Sequence, residues 1–400
     1  MADATDDRPP QPREGSPSDD PPVVGSGVAV RAEAPMAVPV ARERAWPRTL
    51  GKTASAIGAV YLLVLSLQLM KAGAAAIAPT IRESVFFGNG AATLGAGWIG
   101  AYLVLSGSPI AAVALGLFAG GAITELQTFT MLTGSRLGAS FVVLLVGFLY
   151  AVRNRAARRE ESVGMGILAL SLTALTYLPG MVLAYAILRS GALAGIHWRT
   201  SGEVASLVDL LWGPVQDPVV RALPGGLLVP LGLGVILLSF KLLDRVLPQV
   251  DGRRVSRERL AWLRRPWPMF LIGCAVATLT LSVSVALTVL VPLATRGYVT
   301  REESVPYIMG ANITTLADTL VAAMLLRNGV AVQIVLAQAI GVAVVSIACL
   351  ALAYRPIKRG VIGLNDWLVA SGRRLWIFVV GLFVLPAVLL TSGLWLRVLD

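Results

Sequence analysis

Two short polar clusters sit inside otherwise apolar sequence: Ser106-Gly107-Ser108-Pro109 and Ser282-Val283-Ser284. Proline removes a backbone donor and glycine loosens a helix, so the first cluster is expected to break the helix that carries it. A dehydrated cation or small anion crossing a membrane needs hydroxyls and freed backbone groups in place of its water. Half-helix ends add partial charge of either sign. One serine in an apolar helix merely bonds a carbonyl a turn back; two pairs at helix breaks point to a ligand site at Ser106, Ser108, Ser282 and Ser284. A second constellation is Gly310-Ala311-Asn312-Ile313-Thr314-Thr315, followed by Asp318-Thr319. Its small residues allow close backbone approach, and Asn312, Thr314 and Thr315 offer ligand oxygens. Asp318 is ionisable within an apolar stretch, which suits neutralising sodium or a proton; capping a helix or pairing with an arginine would equally explain it.

Composition places these residues in a membrane. Charged residues are 14% of the 400-residue chain, apolar residues 56%, and mean hydropathy is +0.74; an ordinary globular protein carries about 25% charge. The net charge of +11 then reads as the basic cytoplasmic side of a multi-pass protein, not as a nucleic-acid surface. Cys274 and Cys349 lie in apolar runs and suggest no disulfide framework. The single histidine, His197, excludes a His-clustered metal site. With no nucleophile–base pair or metal-ligand set in view, no catalytic residue and no cofactor is expected, and an intramembrane enzyme is disfavoured.

The elements that must position the polar clusters follow from the apolar pattern. Residues 1–46 carry eight acidic against five basic residues and two Pro-Pro pairs, and read as a disordered cytoplasmic tail without a signal peptide. Apolar stretches then run at about 54–79, 91–120, 128–150, 162–189, 223–247, 267–294, 304–326, 330–353 and 375–396. Basic clusters at Arg44/Arg48/Lys52, Arg153 to Arg159, Arg253 to Arg265, and Arg355 to Arg374 mark the cytoplasmic side, so an even number of crossings must separate them. Three stretches lie between Lys52 and Arg153, so one must enter and leave on the same side. Stretch 91–120 would be about 45 Å long as one helix, against a hydrocarbon core of about 30 Å. It breaks midway at the first serine pair, and 267–294 repeats the pattern at the second. Two re-entrant hairpins and about seven spanning helices satisfy the parity, with the N-terminus inside and Asp400 outside. Segment 190–222, with His197, Trp198 and Arg199, reads as an external amphipathic stretch. Glu125 reads as a boundary charge, and Arg253 to Arg265 as an anchor on anionic lipid.

Sliding the chain by 176 residues aligns positions 105–140 with 281–316 at eight identities, among them Leu105/Leu281, Ser106/Ser282, Ser108/Ser284, Gly121/Gly297, Thr124/Thr300 and Gly134/Gly310. Biased composition alone would give roughly three. With the opposite orientation that parity assigns to the two halves, this is the pattern of inverted-repeat transporters, whose sites sit at broken helices near the midplane.

On these residues the chain resembles the bacterial and type II sodium–phosphate cotransporters. Their repeats each carry a Gln-Ser-Ser-Ser-type tip followed by a Gly-Ala-Asn-Ile-Gly-Thr-Thr-type segment. Residues 310–315 (GANITT) match well, 134–140 (GSRLGAS) are a degraded copy, and 65–73 (LSLQLMKAG) look like the opening helix of that family. The resemblance spans about 54–150 and 223–326. It departs at the tips, where leucine (Leu105, Leu281) stands for glutamine and each triplet keeps two hydroxyls, and at Arg136, which stands for the motif asparagine and aligns with Asn312.

Apolar pattern, parity and repeat together give an all-α integral membrane protein: a tail (1–46), a first repeat (47–160), a connecting helix with external segment (161–222), a second inverted repeat (223–328) and two C-terminal transmembrane helices (329–400), the tail and the last two helices lying outside the resemblance. The resemblance implies a secondary transporter of inorganic phosphate in the plasma membrane, coupled to sodium. A transporter of another small anion on the same fold, or a non-transporting scaffold, are the competing readings. Arg136 could bind the anion with its planar fork, pair with Asp318 or Glu125, or snorkel to the boundary.

Overall fold

A computed structural model describes residues 45–153, 159–196, 202–246, 265–295 and 297–394. The described elements are all helical. Helix α1 (Ala45–Glu83) is followed by a short pair, α2 (Gly90–Val104) and α3 (Ser108–Ala119), and then by two long helices, α4 (Glu125–Arg153) and α5 (Arg159–Arg189). Next come α6 (Gly202–Ala222) and α7 (Gly225–Val246). A second set of short helices follows: α8 (Pro266–Thr280), α9 (Val283–Thr288) and α10 (Leu290–Thr295). The chain continues through α11 (Arg301–Thr314), α12 (Ala317–Leu325), α13 (Gly329–Leu352), α14 (Tyr354–Val369) and α15 (Gly372–Leu390).

Among the described residues, seven stretches are long and apolar enough to cross a membrane: Thr53–Glu83, Glu125–Arg153, Glu161–Arg189, Gly225–Val246, Arg301–Leu325, Gly329–Leu352 and Gly372–Leu390. The short helices are not. At 15 residues, α2 and α8 reach only about 22 Å, less than the hydrocarbon thickness of about 30 Å.

Local geometry recurs at the 176-residue offset. Helix α2 begins at 90 and ends at 104; α8 begins at 266 and ends at 280. Both end on a leucine in the left-handed region, Leu105 at φ 55° and Leu281 at φ 45°. That conformation is costly for a residue bearing a Cβ, and it turns the chain sharply into the next short helix. The apolar helices Ser108–Ala119 and Ser284–Thr295 keep the offset. So do the left-handed glycines that follow them, Gly121 at φ 72° and Gly297 at φ 71°. Capping repeats as well: the Thr124 amide donates to Gln127 Oε1 and the Gln127 amide to Thr124 Oγ1, while Thr300 and Glu303 form the same reciprocal box.

Two crossings are fixed by the absence of side chains. A Cβ on Gly97 would lie 2.2 Å from the Met131 carbonyl oxygen, and one on Gly134 would lie 2.1 Å from that of Leu94. At the same offset, Gly273 meets the Tyr307 oxygen and Gly310 the Phe270 oxygen, both at 2.0 Å. Helix α2 thus packs backbone to backbone on α4, and α8 on α11.

The two halves differ in their second long helix. Helix α4 runs unbroken, whereas its counterpart stops at Thr314 and restarts at Ala317. Three consecutive β-branched residues, Ile313-Thr314-Thr315, end the regular helix. The chain tightens there, with the Leu316 amide donating to the Ile313 carbonyl, and the two threonine hydroxyls bond backbone oxygens of Cys274 and Asn312. Between α13 and α15 lies α14, a strongly two-sided helix that the sequence reading left as a basic connection. Its polar face pairs Asp366 with Arg301 (2.9 Å) and Lys358 with Glu302 (2.5 Å), and Arg374 stacks over Trp367. Such a helix suits the membrane boundary.

Candidate functional site

Helices α4 and α5 lie at the centre, and both sets of short helices close on them. Helix α3 packs on α4 and α12, while α9 packs on α4 as well as on its own neighbours α8 and α11. Each short-helix set therefore touches the long helix of the other half. At the first tip the approach is tight: a Cβ on Gly107 would stand 2.7 Å from the Ser135 carbonyl oxygen, one residue from Arg136.

Arg136 is among the largest fully enclosed side chains in the protein, 1% exposed. Its Nη2 lies 3.2 Å from Asp318 Oδ1 and also donates to Thr319 Oγ1. Thr319 in turn donates its hydroxyl to Asp318 Oδ1 at 2.9 Å, and its amide reaches the same oxygen. Of the sequence-based alternatives, the pair with Asp318 is the one that forms. Glu125 stands exposed at the first turn of α4, three turns before Arg136, and takes no part in it. The pair is nevertheless incomplete: Arg136 Nε and Nη1, Asp318 Oδ2 and the neighbouring Thr133 hydroxyl are all enclosed without a hydrogen-bond partner among the described residues. Enclosed groups of this kind cost about 1–3 kcal/mol each, more when charged, unless something binds them.

Asn312 is fully buried, and both its amide oxygen and its amide nitrogen have partners. Its Oδ1 accepts from Thr173 (3.4 Å), its Nδ2 donates to Thr176 (3.1 Å), and its backbone oxygen accepts from the Tyr177 hydroxyl (2.6 Å). The Thr315 hydroxyl lies 3.2 Å from that of Tyr177, and Thr314 donates to the Cys274 carbonyl at 2.9 Å. In this state Asn312, Thr314 and Thr315 hold α8, α11 and α5 together. The α5 partners Thr173, Thr176 and Tyr177 were not singled out in the sequence. Their only signal is a polar run, Ser171 to Tyr177, within an apolar span.

The serines divide. Ser282 caps α9, accepting from the Val285 amide at 3.4 Å. The Ser106, Ser108 and Ser284 hydroxyls have no hydrogen-bond partner among the described residues; Ser108 is buried and the other two are half-buried. Segment 1–44, His197 to Arg199, and Arg253 to Arg264 lie outside the described residues.

Residues 235–368 match the family model Na_Pi_cotrans, described as Na+/Pi-cotransporter. The match runs from within α7 to the end of α14. It takes in the second set of short helices, the 310–315 segment, Asp318, and also α13 and α14, which the sequence resemblance had left uncovered. Arg136 and the first set of short helices lie before it. No curated protein and no solved structure matches the chain. Over residues 235–368, about a third of its length, the chain is similar to the Na+/Pi-cotransporter family, and seven helices of membrane-crossing length among the described residues accompany that match.

Proposed function

We propose that the protein is a secondary active transporter that carries inorganic phosphate across the plasma membrane together with sodium. The family match and the membrane-length helices support transport, and they favour it over catalysis. In this reading the short pairs α2–α3 and α8–α9–α10 are re-entrant hairpins, the two halves are inverted repeats, and the N-terminus is cytoplasmic. The recurrence of helix ends, left-handed leucines and glycine crossings at one offset supports the repeat. Alternating access would expose the hairpin tips, with Ser106, Ser108, Ser282 and Ser284, to each side in turn.

The observation that carries the proposal is the unfinished Arg136–Asp318 pair. A guanidinium held away from solvent with two nitrogens unspent is a ready oxyanion ligand, and its fork geometry suits phosphate. Asp318 sets a carboxylate against the guanidinium and leaves an oxygen free for a sodium ion or a proton. A same-fold transporter of another small anion is the second reading. It is favoured by Leu105 and Leu281, which put apolar side chains where the resembled family has glutamine.

Protection from labelling separates transport from scaffolding. Single cysteines at Ser106 or Ser282, introduced in a protein lacking Cys274 and Cys349, should react with a maleimide more slowly when phosphate and sodium are both present. Labelling rates indifferent to both would remove the tips from any transport path.

A further inference from the structure

Gln338 is fully buried in the middle of α13, and neither its Oε1 nor its Nε2 has a partner among the described residues. An enclosed primary amide has two donors and an acceptor to satisfy, and leaving them all unmet costs about 1–3 kcal/mol per group. Its place in the fold ties it to the unfinished pair. Helices α12 and α13 are joined through Leu326–Asn328, so residues equally far from that link face each other, which sets Asp318 beside the turn that carries Gln338. Leu316 and Val342, which lie further from the link on the same two stretches of chain, belong to one packed cluster. Helix α4 closes the third side: it packs on α13, and its Arg136 reaches Asp318 on α12.

Resting on the transport reading above, the geometry points to Gln338 as a fourth ligand, with Arg136, Asp318 and Thr133, of a protonated tetrahedral oxyanion. The chemistry of the unspent atoms selects that class. Arg136 Nε and Nη1 and Gln338 Nε2 donate, Asp318 Oδ2 and Gln338 Oε1 accept, and Thr133 can do either. Phosphate at neutral pH carries at least one P–OH, so it presents both acceptors and a donor, and Asp318 Oδ2 receives the donor. Sulfate has no proton to offer, and its oxygen would face the carboxylate lone pair against lone pair. A site built to hydrogen-bond an OH rejects analogues that lack it far more strongly than a site that merely fits their shape. Arsenate, protonated like phosphate, passes the same test. Gln338 also supplies within the core an amide that the leucines at the two tips do not.

The test is competition against uptake of labelled phosphate into proteoliposomes. In the unaltered protein arsenate should compete within a few-fold of phosphate, and sulfate should be weaker by on the order of a hundredfold or more. Asp318→Asn, which can turn an amide N–H toward the ligand, should narrow the arsenate-to-sulfate ratio by about tenfold. Gln338→Met, close in volume, should weaken phosphate about tenfold while the thermal midpoint holds or rises. Should Asp318→Asn fold poorly, the Gln338→Met result and the wild-type selectivity still decide. Sulfate competing as well as arsenate, or Gln338→Met leaving phosphate affinity unchanged, overturns the inference and leaves the transport reading standing. Absence of phosphate uptake by the unaltered protein overturns both.

Discussion

At the scale of single residues, Arg136 and Asp318 determine each other's behaviour. Removing one partner of an enclosed ion pair leaves an uncompensated charge, at about 3–5 kcal/mol, whereas removing both is far milder. Arg136→Asn should therefore lower the thermal midpoint in detergent sharply, and the double change Arg136→Asn with Asp318→Asn should recover most of the loss. Equal stability of all three proteins would mean the charges are not held together. The serines behave differently, because the Ser108 and Ser284 hydroxyls have no hydrogen-bond partner among the described residues. Ser108→Ala and Ser284→Ala should leave the midpoint within about 0.5 kcal/mol of the parent, as for substitutions that break no contact. If the tips bind ligand, each should raise the phosphate concentration for half-maximal uptake, and an unchanged double mutant would return both serines to a packing role. The chemistry of Arg136 was legible in the sequence as a set of options, since a buried guanidinium must find an anion. Which option forms depends on where α12 is placed, and that is a tertiary fact. Thr173, Thr176 and Tyr177 were illegible for the same reason: hydroxyls on a long apolar helix can bond their own backbone, and only the packing of α11 against α5 makes them the partners of Asn312.

At the scale of elements, glycine sets the helix crossings. The four close approaches at Gly97, Gly134, Gly273 and Gly310 leave no room for a methyl group, and the nearest atom met in each case is a backbone oxygen. Gly97→Ala and Gly273→Ala should each cost about 1–3 kcal/mol or more through overpacking. Gly381→Ala on α15, where nothing lies within 4 Å, should be neutral or slightly stabilising. Size-exclusion profiles and thermal midpoints of the three variants check this, and a well-behaved Gly273→Ala protein would contradict the backbone contact. The short-helix breaks could be read in advance because Pro109, Gly107 and the paired serines are local signals, and because the 176-residue offset duplicates them. The interruption after Thr314 and the separate helix α14 could not. The first depends on threonine side chains choosing backbone oxygens of α8 and of their own turn. The second has low mean hydropathy and becomes recognisable only when its charges meet Arg301 and Glu302.

At the scale of the whole molecule, the apolar pattern marks nine stretches, and the helix breaks at the paired serines together with charge parity reduce them to about seven of membrane length. The sides of the membrane are a separate matter. Seven crossings would place the two ends on opposite faces, so single cysteines at Ser16 and Ser392 in a protein lacking Cys274 and Cys349 should differ in reaction with an impermeant maleimide on intact cells. Labelling of both from one face would require a different number of crossings. The central claim is that the two halves carry phosphate between those faces with sodium, through a site built on Arg136 and Asp318. It is tested most directly by uptake of labelled phosphate into proteoliposomes of the purified protein, with and without an inward sodium gradient. The account predicts accumulation that requires the protein, is driven by the gradient, and is lost in the Arg136→Asn, Asp318→Asn double variant despite its recovered stability. Phosphate entering no faster than into protein-free vesicles under either condition, or undiminished uptake by that double variant, would contradict it.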